Sequence, residues 1–401
     1  MNCGTRPTLL SRRHLLSGAG AAAFAAATRS TSFSKPVPPV EPGEYPQYPA
    51  TDPARLGFSP ERLETASRLV EAAVLGGIPG AVLLIARRGA VALHRSYGFA
   101  GLRPAPRPMA LNTIFDLASL TKPVATATAV LKLIEAGTVE LDAPVARYLA
   151  PFALAGGDRA DITIRHLMTH GAGFPAGGAY FGKTRTTDQI VREIANSRRI
   201  AKPGERFLYS DFSFITLGAV VESVTGRSLR DFSRDAFFAP LGMRDTDFLP
   251  GPGASARCAA TTSGDDTEET RGKVHDPTSQ ALGGVAGHAG LFSTADDLAR
   301  FCQMLLGGGE RNGVRILRPE TVRLATTRQS PFIGNDRALG WDLESAYSIR
   351  GSFPPGSFGH TGFTGTSLLI DPRTQTVLIL LTNAVHGGRP PPRPPPPHPP
   401  P

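Results

Sequence analysis

A serine stands three residues before a lysine in the stretch FDLASLTKPVATA, Phe115 to Ala127. On a helix, side chains at i and i+3 lie on one face, so Ser119 and Lys122 would be within reach of each other. A lysine that is held close to a serine and partly desolvated can have its pKa lowered and can help to take the hydroxyl proton. A serine in the first helical turn also meets unpaired backbone N–H groups that favour a developing anion. The pair is a candidate nucleophile and base, and the alternative is an ordinary piece of helix surface.

The same pattern occurs a second time, from Ser32 to Lys35, where Pro36 follows directly. The residue before a proline is disfavoured in the helical region, so no helix would hold these two side chains together. This copy is discarded.

A second candidate segment is PGERFLYSDFSF, Pro203 to Phe214. It places the hydroxyl of Tyr209 at the junction between a loop and a predicted amphipathic helix, with Asp211 two residues later. The alternative interpretation is that Tyr209 is a half-buried packing aromatic and that Asp211 caps the helix.

A third candidate segment is SFGHTGFTGTSLLID, Ser357 to Asp371, in which His360, Thr361 and Gly362 open a predicted strand. Glycines at this position would let a ligand approach the backbone closely. The alternative interpretation is a glycine-rich strand edge that carries a histidine with satisfied hydrogen bonds.

In this order, Ser-x-x-Lys, Tyr-x-Asp and His-Thr-Gly resemble the signature of the penicillin-recognising serine hydrolases. The chain is similar to the branch that contains class C β-lactamases, serine DD-peptidases and related esterases. The resemblance runs from about Leu56 to Asn383 and includes IRHLMTHGAGF, residues 164–174, and LGGVAGHAGLFSTADDLARF, residues 282–301.

The resemblance implies a role for each matching residue. Ser119 would be the acylated nucleophile, Lys122 its proton partner, and Tyr209 the general base or proton shuttle. The backbone N–H groups of Ser119 and Phe363 would form the oxyanion hole.

The substrate-binding positions implied by the resemblance are Asp211, His360, Thr361 and Gly362. Asp211 stands where β-lactamases of this group usually have Asn, and an ionised Asp cannot donate to an acyl amide oxygen. His360 stands where β-lactamases have Lys. Both departures favour a cell-wall peptidase or a broad esterase over an efficient β-lactamase.

The expected function is therefore an exported serine hydrolase that forms an acyl-enzyme on Ser119 and acts like a D-alanyl-D-alanine carboxypeptidase on peptidoglycan peptides. A broad carboxylesterase or a β-lactamase of the same family is the alternative, with acyl esters or β-lactams as substrates. From another class, a non-catalytic sensor of peptidoglycan or β-lactams stays open. No metal or organic cofactor is implied, and the oligomeric state stays open.

The fold expected around these residues is α+β, an α/β/α sandwich. Alternating apolar runs predict a hairpin over AVLLIARRGAVALHRSYG with its turn at Arg88-Gly89, and a second over GTSLLIDPRTQTVLILLTN with its turn after Asp371. We expect one antiparallel sheet from the N- and C-terminal segments, flanked by helices. Helices are predicted from Pro60, from Phe115 to Gly137, within TTDQIVREIANS, FSFITLGAVVESVTG and SLRDFSRDAFFAPLG, and after the N-cap candidate Thr294.

Four segments are expected along the chain. Residues 1–27 resemble a twin-arginine signal peptide, because Arg12-Arg13 precede an apolar run too short to span a bilayer. This predicts a bacterial protein in the periplasm or secreted. Residues 28–56 are predicted to be a disordered linker and 57–386 the hydrolase domain, with a helical insertion at about 143–290.

Residues 387–401 form a proline-rich tail, for which we expect extended polyproline II. Members of the family usually place a C-terminal helix here to cover the sheet, so one face would be covered only by the helix from about Pro60 to Val74. A truncated or frame-shifted C-terminus is our hypothesis for this difference.

Composition excludes some other classes. The formal net charge of +9 over 401 residues is scattered rather than clustered with aromatics, which argues against nucleic acid. The phosphate-loop pattern GGAYFGKT, residues 177–184, lacks the preceding strand that such a loop needs.

His166 and His170 have the spacing of a helical zinc pair but no third ligand. Cys258 and Cys302 either pair or stay free.

Overall fold

The computed structural model describes residues 52–178, 184–262, 269–332, 334–345 and 350–387. The predicted signal peptide, nearly all of the linker, the tail beyond residue 387 and the middle of the phosphate-loop-like segment lie outside these residues.

Strands occur near both ends of the described chain and as short pairs between them. They are β1 Gly80–Arg87, β2 Ala90–Gly101, β3 Arg107–Pro108, β4 Phe115–Asp116, β5 Thr261–Thr262, β6 Glu269–Thr270, β7 Phe292–Ser293, β8 Glu310–Arg311, β9 Val314–Arg315, β10 Asp336–Arg337, β11 Asp342–Glu344, β12 Phe358–Thr361, β13 Ser367–Asp371 and β14 Thr376–Thr382.

The described α-helices, all but one of them, lie in the sequence between the two groups of long strands. They are α1 Pro60–Leu75, α2 Thr128–Glu135, α3 Ala150–Ala155, α4 Ile164–Met168, α5 Thr187–Asn196, α6 Asp211–Thr225, α7 Leu229–Ser233, α8 Pro252–Arg257, α9 Pro277–Ala281, α10 Ala295–Leu306 and α11 Pro319–Thr326.

The main sheet is antiparallel, with the strand order β10-β11-β12-β13-β14-β1-β2-β3. Both predicted hairpins are confirmed: β1 pairs with β2 about Arg88-Gly89, and β13 pairs with β14. The N- and C-terminal segments meet where β1 pairs with β14, with Ala81 opposite Thr382. The predicted assembly of one sheet from the two ends of the chain is confirmed.

Helices cover both faces of this sheet, as expected for an α/β/α sandwich. In β1, alternate side chains point to opposite faces. Val82 and Leu84 belong to the large core that includes Phe301 of α10. Leu83 lies in a smaller core with Leu63 of α1. The predicted packing of α1 on one face is confirmed.

The predicted helix from Phe115 to Gly137 is wrong at its start. Phe115–Asp116 instead forms β4 and pairs with β7. A 3-10 turn follows at Ala118–Leu120, a π-helical turn at Lys122–Ala127, and then α2. The predicted end is confirmed, because Gly137 has a φ of +71° and terminates the helix.

The helix after Tyr209 is also different from the prediction, since it is not amphipathic. Residues Asp211 to Val221 of α6 are buried without interruption, so α6 is a central helix of the insertion. A helix that is buried all round needs no polar face. By contrast, Thr294 caps α10 as predicted, with its hydroxyl accepting a hydrogen bond from the Asp297 N–H.

Candidate active site

Ser119 is held at the surface of a cavity by the residues just before it. The buried carboxylate of Asp116 accepts hydrogen bonds from the Ala118 N–H at 2.9 Å and from the His275 N–H at 2.7 Å. Ala118 has a φ of +47°, which is unfavourable for a residue with a side chain and persists only where its surroundings enforce it. The helical segment therefore starts at Ala118 rather than at Phe115.

Lys122 lies beneath Ser119 and is completely buried. Its Nζ lies 3.0 Å from Ser119 Oγ and 3.0 Å from the carbonyl oxygen of His288. The third neighbour is the Asp211 carboxylate, 2.8 Å away. The side chain of Tyr209 is a further hydrogen-bond partner of this ammonium group.

The lowered pKa expected for Lys122 is wrong. Burial does oppose the charge of Lys122, but the attraction of Asp211, with Tyr209 adding to it, outweighs burial and raises the pKa. Lys122 is an ammonium near neutral pH, so it donates a hydrogen bond to Ser119 Oγ. An ammonium group has no lone pair with which to accept the serine proton, so Tyr209 is the stronger candidate for the general base.

Tyr209 lies beside this ammonium, with Lys122 Nζ 5.0 Å from the centre of its ring. His170 binds the residues immediately before and after Tyr209. The His170 carbonyl oxygen accepts a hydrogen bond from the Leu208 N–H at 2.9 Å, and His170 Nδ1 accepts one from the Ser210 N–H at 3.1 Å. The imidazole also stacks on the Tyr209 ring, with 4.4 Å between centroids.

The buried imidazole of His170 is uncharged near neutral pH. Burial, with the nearby charges of Arg337 and Lys122, holds its pKa well below the usual value. Because Nδ1 accepts a hydrogen bond, the proton is on Nε2. The sequence does not favour a zinc pair of His170 with His166, and the two residues have different partners here: His166 closes a capping box with Thr163 at the start of α4.

The turn between β12 and β13 is fixed against the segment that precedes Ser119. Thr364 Oγ1 donates to the carbonyl oxygen of Asp116 at 2.7 Å, and Thr366 Oγ1 donates to that of Leu117 at 3.0 Å. Ser119 and Phe363 both line one cavity. Within the described part of the chain, neither of their backbone N–H groups donates to another residue. The structure therefore brings together the two groups expected to form an oxyanion hole.

Two other predicted substrate-binding residues, His360 and Gly362, lie at or next to this turn in the chain. His360 is buried, its Nδ1 lies 2.8 Å from the Thr361 carbonyl oxygen, and burial holds its pKa well below the usual value. An uncharged His360 offers no full positive charge to a substrate carboxylate. The space over Gly362, expected to admit a ligand, is occupied by the Leu117 carbonyl and the Thr366 side chain.

The cavity beside Ser119 has a volume of about 190 Å³. Its walls combine predicted residues with several that the sequence did not single out. The lining residues are Ala118, Ser119, Asp211, His275, Asp276, Pro277, His288, Ala289 and Phe363. Two of the residues that the sequence analysis missed had a signal in the sequence. His288 lies in the family-like stretch 282–301, and Asp276 precedes a proline, as a helix cap would.

Three further features bear on what the chain can bind or form. Across the described ranges, no group of His, Cys, Asp and Glu side chains is arranged to hold a metal ion. Cys258 and Cys302 are both buried and free. No helix in the described part of the chain has the length and apolarity needed to cross a membrane.

Chemically, the site offers a hydroxyl, an ammonium and a phenol, and two free backbone N–H groups beside a small cavity. A hydroxyl next to a proton acceptor is the arrangement used for covalent acyl transfer. Free N–H groups on two residues that line the same cavity can stabilise the oxyanion that forms during such a reaction.

The comparisons with known proteins agree with this chemistry. The family model described as Beta-lactamase matches residues 66–395. A proposed D-alanyl-D-alanine carboxypeptidase of Escherichia coli O157:H7 is 31% identical over 385 residues, which cover 86% of this chain and 88% of the relative.

Solved structures share the fold. EstCE1, described as a hydrolase with promiscuous acyltransferase activity, matches with a TM-score of 0.66 and 27% identity over 81% of this chain and 95% of its own. A β-lactamase/D-alanine carboxypeptidase of Pseudomonas syringae has the same TM-score of 0.66 at 19% identity, over 80% of this chain and 95% of its own. The second likeness concerns the fold alone.

Proposed function

Since this chain belongs to the Beta-lactamase family and is a serine hydrolase of that family, we propose that it forms an acyl-enzyme on Ser119. We propose peptides that end in D-alanyl-D-alanine, as in peptidoglycan, as its main substrates. The observation that supports the chemistry best is the contact between Lys122 Nζ and Ser119 Oγ, 3.0 Å apart at the edge of the cavity.

In the proposed reaction, Ser119 Oγ attacks the substrate carbonyl carbon and its proton passes to the Tyr209 oxygen. In this proposal the Tyr209 oxygen accepts the proton as a phenolate, and the nearby Lys122 ammonium stabilises that negative charge. The N–H groups of Ser119 and Phe363 donate to the oxyanion of the tetrahedral intermediate. Tyr209 then returns the proton to the departing amine, and the same steps with water release the acid and restore Ser119.

The choice of a peptidase rests on the relative from Escherichia coli, whose name proposes that activity. An efficient β-lactamase is less favoured because Asp211 stands where β-lactamases of this group usually have Asn, is paired with Lys122, and has no N–H to donate to the side-chain amide of a β-lactam. An esterase is the second candidate, because EstCE1 is a hydrolase with acyltransferase activity and is 27% identical. Export to the periplasm or beyond is part of the proposal and rests on the twin-arginine-like segment at residues 1–27.

The test is the mass of the intact protein after mixing with a fluorescent penicillin, for the wild type and for Ser119→Ala. An adduct on the wild type alone is the expected result, and its slow loss separates a peptidase from a β-lactamase. Release of D-alanine from a diacetyl-lysyl-D-alanyl-D-alanine peptide tests the substrate class. An adduct that persists in the folded Ser119→Ala protein would overturn the nucleophile assignment.

An esterase would hydrolyse p-nitrophenyl esters without releasing D-alanine. A folded wild type that forms no adduct and cleaves neither kind of substrate would favour the sensor. Circular dichroism of both proteins establishes folding before either conclusion.

A further inference from the structure

The cavity wall contains one carboxylate that the proposed reaction does not use, that of Asp276. Its Oδ1 accepts a hydrogen bond from the Ser279 N–H at 2.8 Å at the start of α9. The same oxygen lies 2.8 Å from Nε2 of His288, which is itself buried. Both contacts occupy one oxygen and hold the carboxylate in a fixed orientation.

Asp276 itself lines the cavity. Oδ2 has no partner among the described residues, and 29% of the side chain remains exposed. Burial favours the neutral acid, but the interaction with His288 outweighs it and lowers the pKa of Asp276. Near neutral pH the cavity is therefore bordered by a carboxylate with a free oxygen.

Asp276 is fixed in position relative to the reacting atoms. The preceding residue, His275, donates its N–H to the same Asp116 carboxylate that holds the turn before Ser119. The His275 ring also stacks on Phe363, with 5.8 Å between centroids. A group bound at Asp276 would thus lie at a defined place beside the nucleophile and the oxyanion-hole turn.

Asp276 is an acidic lining residue whose one ion-pair partner among the described residues is a histidine, His288, at 2.8 Å. The other acidic residue there, Asp211, is paired with the buried Lys122 at 2.8 Å. The other lining residues outside this pair and the histidines are small or apolar, apart from Ser119. A cation that enters the cavity with the substrate can therefore pair with the partly exposed carboxylate of Asp276.

We propose that Asp276 forms an anionic subsite that selects substrates whose acyl group carries a positive charge, such as the ammonium of a diamino acid side chain. This inference rests on the proposed function for its link to catalysis, because the acyl group is the part that stays on Ser119 in the cavity. It adds a substrate class that the three motifs do not specify.

The experiment compares two p-nitrophenyl esters of equal shape, 4-(trimethylammonio)butyrate and the uncharged 5,5-dimethylhexanoate. For the wild type, we expect kcat/KM to favour the cationic ester by about five- to tenfold, a modest ratio because the subsite is open to solvent on one side. The ratio should fall as salt is raised, since salt screens exposed charges.

In Asp276→Asn the ratio should approach one, and in Asp276→Glu it should stay above one. The matched control is Asp188→Asn, an exposed carboxylate on α5, which should keep the wild-type ratio. A wild type without preference for the cationic ester, or a preference that survives in Asp276→Asn, would overturn the proposal. Should Asp276→Asn fail to fold, the wild-type ratio and its salt dependence decide.

A binding measurement separates this proposal from the proposed function. The matching anilides of the two acids are titrated into Ser119→Ala and followed by NMR, which needs no turnover. Tighter binding of the cationic anilide supports the subsite even where no ester is hydrolysed, and equal binding contradicts it. Hydrolysis of the uncharged ester by the wild type reports the proposed function by itself.

Discussion

Replacing Asp211 with Asn should reverse the way in which Lys122 contributes to stability. In the native protein Asp211 lies 2.8 Å from Lys122 Nζ, and the two side chains are 10% and 0% exposed. Asp211→Asn keeps the shape and an oxygen that accepts a hydrogen bond but removes the negative charge. Burial, which opposes the ammonium form, then becomes the dominant influence on the pKa of Lys122.

Two estimates limit the expected loss in the free energy of unfolding. Two charges about 4 Å apart attract by about 4 kcal/mol at an effective dielectric constant near 20, and removing one partner of a buried pair costs about 3–5 kcal/mol. The lysine can escape this cost by losing its proton. At pH 7, deprotonation from a pKa near 10.4 costs about 4.6 kcal/mol, at about 1.36 kcal/mol per unit. We therefore expect Asp211→Asn to lower the free energy of unfolding by about 3–4.5 kcal/mol at pH 7.

The sign of the pH dependence distinguishes this explanation from a general loss of packing. In the wild type the pKa of Lys122 is raised, so its contribution to stability is present below its ordinary value near 10.5 and is lost as the pH rises through the native pKa. In Asp211→Asn the native pKa would be lowered, so the unfolded chain binds more protons and stability increases with pH up to that ordinary value.

The assay is urea unfolding followed by circular dichroism at pH 7, 8, 9 and 9.5. The difference in stability between variant and wild type should shrink by up to about 1.4 kcal/mol per pH unit. Asp188→Asn is the control, because its surface ion pair with Arg192 contributes only about 0–1 kcal/mol. A difference that stays constant with pH, or a loss below about 1 kcal/mol, would refute the charge assignment of Lys122.

Three further predictions concern the residues around the site. His170→Phe keeps an aromatic ring but leaves the Ser210 N–H without its acceptor, which costs about 1–3 kcal/mol, whereas His170→Asn keeps an acceptor. We therefore expect kcat of ester hydrolysis to fall more in the Phe variant than in the Asn variant, with KM little changed. Equal losses of kcat in the two variants would contradict this. Burial lowers the pKa values of His170 and His360, so both imidazoles stay uncharged in the native protein while the unfolded chain takes up protons below about pH 6.5. The contribution of each histidine to the free energy of unfolding is therefore present above about pH 6.5 and is lost as the pH falls below it. His360→Gln removes one such group and should flatten the decrease in stability toward acid pH by up to about 1.4 kcal/mol per pH unit, as measured by urea unfolding. Gly362→Ala would place a Cβ against neighbouring backbone and should reduce both thermal stability and acylation, while Gly253→Ala, which has open space at this position, should change neither.

The sequence predicts the sheet because each hairpin carries its own signals. The strands around Arg88-Gly89 alternate apolar residues and join through a tight turn, and no distant residue is needed to define them. β4 at Phe115–Asp116 has no such local signal, since it pairs with Phe292–Ser293 far along the chain. Its helical neighbours made the two residues look like the start of the helix.

The motifs likewise predict which residues do chemistry but not their charge states. Ser119, Lys122 and Tyr209 meet as expected, whereas the raised pKa of Lys122 depends on Asp211, which a spacing rule cannot connect to it. The residues around Asp276 lack a motif because backbone hydrogen bonds from distant segments bring them to the cavity. Such contacts follow from the complete fold.

Asp116 shows how the nucleophile, the oxyanion-hole turn and the cavity wall depend on one another. Its carboxylate holds the Ala118 and His275 N–H groups, and its carbonyl oxygen accepts from Thr364. Each of these bonds leads to a different part of the site: the turn before Ser119, the wall that ends in Asp276, and the turn that carries Phe363. Since catalysis requires these parts at fixed separations, a buried residue that touches no substrate determines their geometry. A buried aspartate outside all three motifs therefore connects the three parts of the candidate site.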